Sequence, residues 1–255
     1  MNTHGSARYK GVVAAATALA LGGGLGLFAG QVGTASANGT PTEATAPVHA
    51  KLPPPGQFVH KVDNRYFPLK PGTKWVYRGS GSEAGERVVV RVLHRTKQIE
   101  GITATVVRDV VTEHGGLIED TFDWYAQDRR GNVWYLGEAT KAYEDGTLST
   151  EGSWEAGVDG AEAGIQMWAR PRVGRPYYQE FYAGHAEDVG EVLKRSVHVV
   201  AHTREYDHAR LTLDTTALEP DVTELKFYAP GVGTVLGLDV SPEQGRTELV
   251  RMVAP

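Results

Sequence analysis

Hydrophobic and polar positions alternate with a period of two along most of the chain from residue 57 onward, and short turn-forming segments separate the alternating runs. Residues 86–94 and 102–112 are two such runs, rich in β-branched side chains and separated by Glu100-Gly101. Residues 141–144 and 147–151 flank Asp145-Gly146, a strong hairpin signal. Counted along the whole chain, runs of this kind predict about ten strands, and few stretches have a helical pattern. We predict an all-β fold, a single antiparallel meander closing into a barrel or half-barrel, with a long loop at residues 153–175 over one end.

A β-hairpin whose two faces both carry large side chains is predicted at residues 119–138, EDTFDWYAQDRRGNVWYLGE. Its turn is Arg129-Arg130-Gly131, where glycine supplies the positive φ of a three-residue loop. Counting back from that turn places Tyr125 opposite Tyr135, Ala126 opposite Trp134 and Trp124 opposite Leu136. One face then carries Phe122, Trp124, Trp134 and Leu136, and the other carries Thr121, Asp123, Tyr125, Gln127 and Tyr135. A face that mixes carboxylate, phenol and amide groups suits a lined cavity better than open solvent.

The N-terminus predicts export. Arg8 and Lys10 precede an uncharged apolar run at residues 11–32, and Ala35-Ser36-Ala37 is a small-x-small cleavage signal. We predict a signal peptide at residues 1–37, a Pro/Thr/Ala-rich linker at 38–56 and an antiparallel β domain at 57–255. The alternative is a retained signal anchor, because the apolar run is long enough to span a bilayer. After cleavage no stable membrane span remains, and the protein is expected to be secreted or extracytoplasmic, with association with the cell envelope as a further expectation.

The composition excludes several classes of function. The chain contains no cysteine, so it uses no disulfide and is neither a thiol enzyme nor a zinc–thiolate protein. Its formal net charge is −5, and removal of Arg8 and Lys10 makes it more negative. An acidic chain without a basic run predicts no nucleic-acid partner and no footprint for anionic lipid. No Gly-x-Ser-x-Gly elbow occurs in the domain, which argues against serine-based hydrolysis.

Several blocks resemble a widespread family of exported bacterial proteins of unassigned function. They are YFPLKPGTKWVY at residues 66–77, the hairpin block EDTFDWYAQD..GNVWYLGE, and FYAPGVG at residues 227–233. The resemblance covers the chain from about residue 58 and implies a single exported domain, but carries over no activity. A weaker likeness, in fold alone, is to open β-barrel carriers of lipoprotein and lipid traffic in bacterial envelopes.

We expect one concave pocket beneath the 153–175 loop, because that loop is longer than ordinary connections and carries apolar residues that must be buried. The candidate ligand-binding residues are Asp123, Tyr125, Tyr135, Glu180, His185, Trp154 and Trp168. Among them His185, Asp123 and Glu180 are candidate catalytic residues. His185 lies in Gly184-His185-Ala186-Glu187-Asp188, where an imidazole beside two acids is either a base with its orienting carboxylate or a cap of a short helix.

The sequence leaves open whether the domain binds a metal ion. The acids Asp120, Asp123, Asp128, Glu138, Glu151 and Glu155 could supply oxygen ligands to calcium, or they could be solvated or paired with neighbouring basic residues. His198 and His202 lie about 13 Å apart on a strand, too far for one ion. The sequence names no cofactor.

Two classes of function follow. The first is an exported β-barrel that binds a small apolar or amphipathic ligand in a pocket lined by aromatics and carboxylates. The alternative is an extracellular enzyme, a hydrolase, lyase or isomerase, that uses carboxylates and His185 on a small molecule, with or without a divalent metal. Binding ranks first because no nucleophile and base stand at diagnostic spacing.

Overall fold

The computed structural model describes residues 45–144, 146–242 and 244–255. The predicted signal peptide and the first part of the predicted linker lie outside the described residues. Within the described part, the secondary structure consists of one 3₁₀ turn, Pro55–Gln57, and nineteen strands. The strands are β1 (Phe58–Val59), β2 (Asp63–Asn64), β3 (Phe67–Pro68), β4 (Lys74–Gly81), β5 (Glu86–Ile99), β6 (Ile102–Glu113), β7 (Gly116–Asp128), β8 (Val133–Ala139), β9 (Ala142–Glu144), β10 (Thr147–Ser149), β11 (Trp154–Glu155), β12 (Glu162–Met167), β13 (Tyr177–Tyr178), β14 (Glu180–Phe181), β15 (Asp188–Ala201), β16 (Arg204–Thr216), β17 (Thr223–Ala229), β18 (Gly233–Ser241) and β19 (Gly245–Val253).

The long strands form an antiparallel meander that nearly closes into a barrel, as the alternating pattern predicts. Strands β4 to β8 pair in chain order, β15 to β19 do the same, and β19 pairs with β4. Strand β12 adds to β8, and the short strands β13 and β14 pair with β15 and β12 respectively, on the two sides of the remaining seam. The fold is therefore the all-β meander that we predicted.

Turn chemistry fixes the register of the β5–β6 hairpin. Ile99 of β5 pairs with Ile102 of β6, which leaves Glu100 and Gly101 as a two-residue loop. Both have positive φ, 50° and 74°, the conformation in which a two-residue turn follows the twist of the strands. The strands on either side of the predicted second turn also pair, with Leu148 of β10 opposite Tyr143 of β9.

The 153–175 segment carries two strands of its own. Strand β11 pairs with β8 through Trp154 and Glu138. Strand β12 pairs with β8 over a longer stretch, with Ile165 opposite Trp134. Burial of Ile165 and Met167 explains the apolar content of this segment, because both side chains belong to the hydrophobic core.

Residues from the predicted linker run along the seam. Val48 forms a parallel bridge with Tyr177 of β13. Its N–H donates to the Pro176 carbonyl at 3.0 Å, and its own carbonyl accepts from Tyr178 N–H at 3.1 Å. Val48, Ala50 and Leu52 pack against the core of the barrel. The described end of this segment is therefore attached to the domain at the seam between β12 and β15.

The interior of the barrel is both aromatic and acidic. Tyr125, Tyr135 and Tyr228 are among its largest fully buried side chains, and Asp109, Asp123, Glu138 and Glu180 are buried beside them. No helix among the described residues is long and apolar enough to cross a membrane.

Candidate functional site

The turn of the β7–β8 hairpin is held by one carboxylate. Asp128 Oδ1 accepts hydrogen bonds from the backbone N–H groups of Arg130 and Asn132, and its Oδ2 accepts from Trp134 Nε1 at 3.1 Å. Gly131 has a φ of 86°, as a three-residue loop of this kind requires. The loop fixes the predicted register at this end, with Tyr125 opposite Tyr135 and Ala126 opposite Trp134.

A bulge farther along β8 changes which side chains enter the barrel. Asp123 pairs with Glu138, whereas Tyr125 pairs with Tyr135, so β8 contains one residue more than β7 between these two pairs. Gly137 provides the bulge with a φ of 133°. Because paired residues share a face, the bulge turns Glu138 inward beside Asp123 and Tyr135. Strict alternation would have placed Glu138 on the opposite face with Leu136.

Tyr135 joins two carboxyl groups inside the barrel. Its Oη atom lies 2.9 Å from Asp123 Oδ1 and 2.5 Å from Glu138 Oε2. A phenol has one proton and can donate to only one of these oxygens. The second hydrogen bond therefore requires a protonated carboxyl group that donates to Tyr135 Oη. The pair Asp123 and Glu138 thus holds at least one proton.

The electrostatics of the interior agree with that proton count. Burial raises the pKa of Asp123 well above its ordinary value, and the charge of Asp109 adds to the shift. Burial likewise raises the pKa of Glu138, with Glu180 as the next contributor. The hydrogen-bonding contact with Tyr135 opposes the shift at each of the two carboxyl groups. A carboxyl group deprived of water favours its neutral form, so the interior can hold several acids close together.

An aromatic series extends from this pair to Glu180. The rings of Tyr125 and Tyr135 stack with centroids 4.7 Å apart, and Trp154 meets Tyr135 edge-on at 5.3 Å. Trp154 Nε1 donates to Glu180 Oε2 at 2.6 Å. Asp123, Tyr125, Tyr135, Trp154 and Glu180, five of the seven predicted ligand-binding residues, therefore lie together in the interior.

The other two predicted residues lie elsewhere. His185 is exposed and stacks on Tyr182 at 4.3 Å, in a turn in which Gly184 N–H donates to Glu187. Trp168 is half-buried at the outer end of β12, where its ring meets Tyr177 edge-on at 5.8 Å. The structure therefore does not bring His185 to the buried carboxyl groups.

Of three cavities, two are lined by residues of the β7–β8 turn, and one adjoins the first of these at Val48 and Trp168. The first, which we call the N-terminal groove, has a volume of about 530 Å³ and is lined by residues 48–54, Gln57, Asp128, Arg129, Arg130, Asn132, Trp134 and Trp168. The second, the arginine cleft, measures about 260 Å³ and is lined by Val48, Trp168, Arg170, Arg172, Arg175, Pro176 and Tyr177. A third, of about 540 Å³, lies between residues 59–63 and 127–131. None of these three is lined by Asp109, Asp123, Glu138 or Glu180.

Sequence reasoning missed part of the polar interior. Asp109 is buried on β6, where burial and then the charge of Glu119 raise its pKa. Lys226 of β17 is buried between Asp214 and Glu224, with Nζ 3.0 Å from a carboxylate oxygen of each. The sequence carries one signal for the inward orientation of Glu138, namely Gly137, because a glycine within a strand often marks a bulge. Within the described part of the chain, no group of three or more histidines and acids is arranged to hold a metal ion.

Comparison with known proteins gives two distant structural likenesses. No protein-family model matches the chain, and no curated protein does. A candidate exported protein with a YmcC-like fold from Bacteroides fragilis has a TM-score of 0.41 and 12% identity, over 75% of this chain and 100% of that one. A candidate lipoprotein from Parabacteroides distasonis has a TM-score of 0.38 and 11% identity, over 74% of this chain and 99% of that one. Likeness at this level carries no argument about the function of this chain.

Proposed function

We propose that the protein is exported and that its barrel binds a small amphipathic ligand in the N-terminal groove. The observation that carries the proposal is the groove itself, about 530 Å³ in volume, with Trp134 and Trp168 among its walls. Sites for small molecules are usually clefts of about 300–1,000 Å³ with apolar walls and a few polar groups. Val48 and Leu52 add aliphatic surface to this groove.

Charge at the rim favours an acidic head group on the ligand. Arg129 and Arg130 line the groove, and Arg170, Arg172 and Arg175 line the adjoining cleft. Val48 and Trp168 line both cavities, so one ligand can contact both. In the described part of the chain these arginines form no ion pair. Guanidinium groups bind carboxylate and phosphate oxygens through two parallel hydrogen bonds.

In this proposal the buried residues hold the wall of the N-terminal groove in position. Trp134 of the groove wall lies next to Tyr135 on β8, and the hydrogen bonds among Tyr135, Asp123 and Glu138 fix that part of the strand. Asp123, Tyr125, Tyr135, Glu180 and Trp154 thus act on the ligand through the position of the wall, whereas Trp168 contacts it.

Catalysis by the buried carboxyl groups is the second candidate. The proton shared around Tyr135 favours it, because a neutral acid beside a second carboxyl is a usual acid–base arrangement. Substrate access argues against it, since none of the three cavities described is lined by Asp123, Glu138 or Glu180. The exposed position of His185 separates it from these acids.

Ligand binding is tested with anilinonaphthalene sulfonate, a fluorescent probe with an apolar body and one negative charge. The chain from Asn38 should bind it at one saturable site, and a medium-chain fatty acid should displace it. Trp168→Ala and Val48→Asp should weaken binding by about tenfold, the effect of losing one buried apolar contact. The control Leu148→Ala removes an exposed side chain outside the groove. Equal binding by all variants, or no displacement, would contradict the proposal.

Export is tested separately. The charged start, the apolar run and Ala35-Ser36-Ala37 support removal of residues 1–37. N-terminal sequencing of the mature protein should begin at Asn38. A membrane-bound product that retains Met1 to Ala37 would show that the segment is an anchor.

A further inference from the structure

The outer face of strands β19, β4 and β5 carries positive charges opposite one another. Lys74 of β4 pairs directly with Arg91 of β5, and Arg78 pairs with Arg87 in the same way. On its other side Arg78 lies opposite Glu248 of β19, whose carboxylate pairs with Arg246. Arg251 of β19 lies opposite Val76, on the same face. We call these five residues the cationic face. Four of the five are exposed and Lys74 is half-buried.

This arrangement opposes the stability of the fold. Like charges directly opposite each other on neighbouring strands are destabilising. The effect is visible at Lys74, whose pKa is lowered first by Arg91 and then by desolvation, Arg87 and Arg251. In the described part of the chain, no residue of the cationic face forms an ion pair. By contrast, Arg108, which lies next to Arg91 on β6, makes two hydrogen bonds to Asp120.

The charges form a two-dimensional array on a sheet. Strands lie about 4.8 Å apart and alternate residues about 6.8 Å apart, so three strands and five rows of residues span roughly 10 Å by 13 Å. Val76 and Val89 lie between the charged rows and are 7% and 8% exposed. Long basic side chains cover apolar surface in this way while their charged ends stay in water. None of the three cavities described above includes a residue of this face.

We propose that the cationic face docks the protein on a membrane surface that contains anionic phospholipid. A flat array of cations matches a flat array of phosphate groups, whereas a linear polymer would call for a groove that tracks it. The remainder of the chain is acidic, with a formal net charge of −5 overall, so repulsion turns the other faces away from the membrane. The three strands contribute these charges from separate parts of the sequence, and therefore the charges do not form a basic run in the sequence.

Vesicle co-sedimentation tests the proposal, with phosphatidylglycerol and phosphatidylcholine vesicles compared at low and at high salt. The chain from Asn38 should bind phosphatidylglycerol vesicles alone and should dissociate as the salt concentration rises. Each basic residue near an anionic surface contributes about fivefold to binding, so Arg87→Gln with Arg91→Gln should weaken it by about 25-fold. The same two substitutions should leave the midpoint of urea unfolding unchanged or raise it, because they remove repulsion from Arg78 and Lys74 on the neighbouring strand.

A matched control removes two exposed positive charges from another strand. Lys194→Gln with Arg195→Gln on β15 changes the net charge equally and should retain vesicle binding. A second variant, Arg87→Glu, places a negative charge opposite Arg78 of β4, which should stabilise the fold and still weaken binding. Absence of binding to phosphatidylglycerol vesicles at low salt, or equal losses in control and test variants, would overturn the proposal. Binding to a soluble polyanion but not to vesicles would overturn it as well.

Discussion

The Oη atom of Tyr135 lies 2.5 Å from Oε2 of Glu138, a short hydrogen bond between two fully buried groups. The same Oη atom also contacts Asp123, so one of the two carboxyl groups must be protonated. Thr140 Oγ1 donates to the other oxygen of Glu138 at 3.1 Å. This pattern fits a neutral side chain at position 138 that donates to Tyr135 and accepts from Thr140.

The first prediction compares two substitutions in this network. Glu138→Gln keeps a neutral donor and acceptor in place and should lower the free energy of unfolding by less than about 1 kcal/mol. Tyr135→Phe leaves buried carboxyl oxygens without a partner and should lower it by about 1–3 kcal/mol. Urea denaturation near neutral pH measures both. Tyr143→Phe, in the half-buried hairpin strand β9, is the control. A Gln variant as unstable as the Phe variant would show that Glu138 is ionised.

The second prediction concerns pH. Burial raises the pKa of Glu224 to about 8, with a partial opposing effect from Lys226. Below the pKa of the unfolded chain the carboxyl is protonated in both states and contributes nothing. As pH rises toward 8, the unfolded state loses this proton first, so the free energy of unfolding falls by up to about 1.4 kcal/mol per pH unit. The midpoint of urea unfolding should therefore be lower at pH 8 than at pH 5.5.

Asp188 adds to the same trend. Burial raises its pKa to about 7, again opposed by Lys226. Because Asp188 and Glu224 are both half-buried, we expect effects of similar size from them. Glu224→Gln and Asp188→Asn should each flatten the pH dependence, while Glu151→Gln at an exposed position should not change it. An unaltered slope in Glu224→Gln would contradict the assignment.

The third prediction concerns Lys226, which lies between the carboxyl groups of Asp214 and Glu224. Lys226 has a side chain only 7% exposed and lies 3.0 Å from oxygens of both Asp214 and Glu224. Lys226→Met leaves two buried acids without their counter-charge, which should lower the free energy of unfolding by about 3–5 kcal/mol at pH 8. The loss should be smaller at pH 5.5, where Glu224 is protonated. Lys194→Met, at an exposed position, serves as the control, and a loss independent of pH would count against the ion pair.

Much of the fold follows from the sequence because local chemistry determines it. Alternation predicts the strands, and Gly131 fixes the turn that sets Tyr125 opposite Tyr135. Closure of the barrel depends on contacts between distant segments, such as β19 with β4, which no local pattern reports. The same holds for β12, whose place beside β8 depends on burial of Ile165 and Met167.

The candidate site is harder to predict than the fold, because a shift of one residue in strand register changes which side chains face the interior. Alternation predicts Asp123 and Tyr135 on one face, and the structure has them in contact. The same rule places Glu138 on the opposite face, and the bulge at Gly137 reverses that. Lys226 gains its partner Asp214 from β16, through a strand pairing that the sequence alone could not align.

The last prediction tests the bulge directly. A Cβ atom at Gly137 would overlap the carbonyl oxygen of Trp154 and approach Glu155 Cα to 2.9 Å, and φ there is 133°. Gly137→Ala should therefore force β8 away from β11 and lower the free energy of unfolding by more than about 3 kcal/mol.

Gly115→Ala isolates the steric part of this effect. Gly115 also has a positive φ, 88°, but a Cβ atom there would have nothing within 4 Å. Strain alone should cost about 1 kcal/mol at that position. In addition, Gly137→Ala should steepen the pH dependence of stability, because a shifted β8 removes Tyr135 from one of its carboxyl partners and leaves the buried acids less well satisfied. Equal losses in the two alanine variants would mean that backbone strain, rather than contact with Trp154, holds Glu138 inside the barrel.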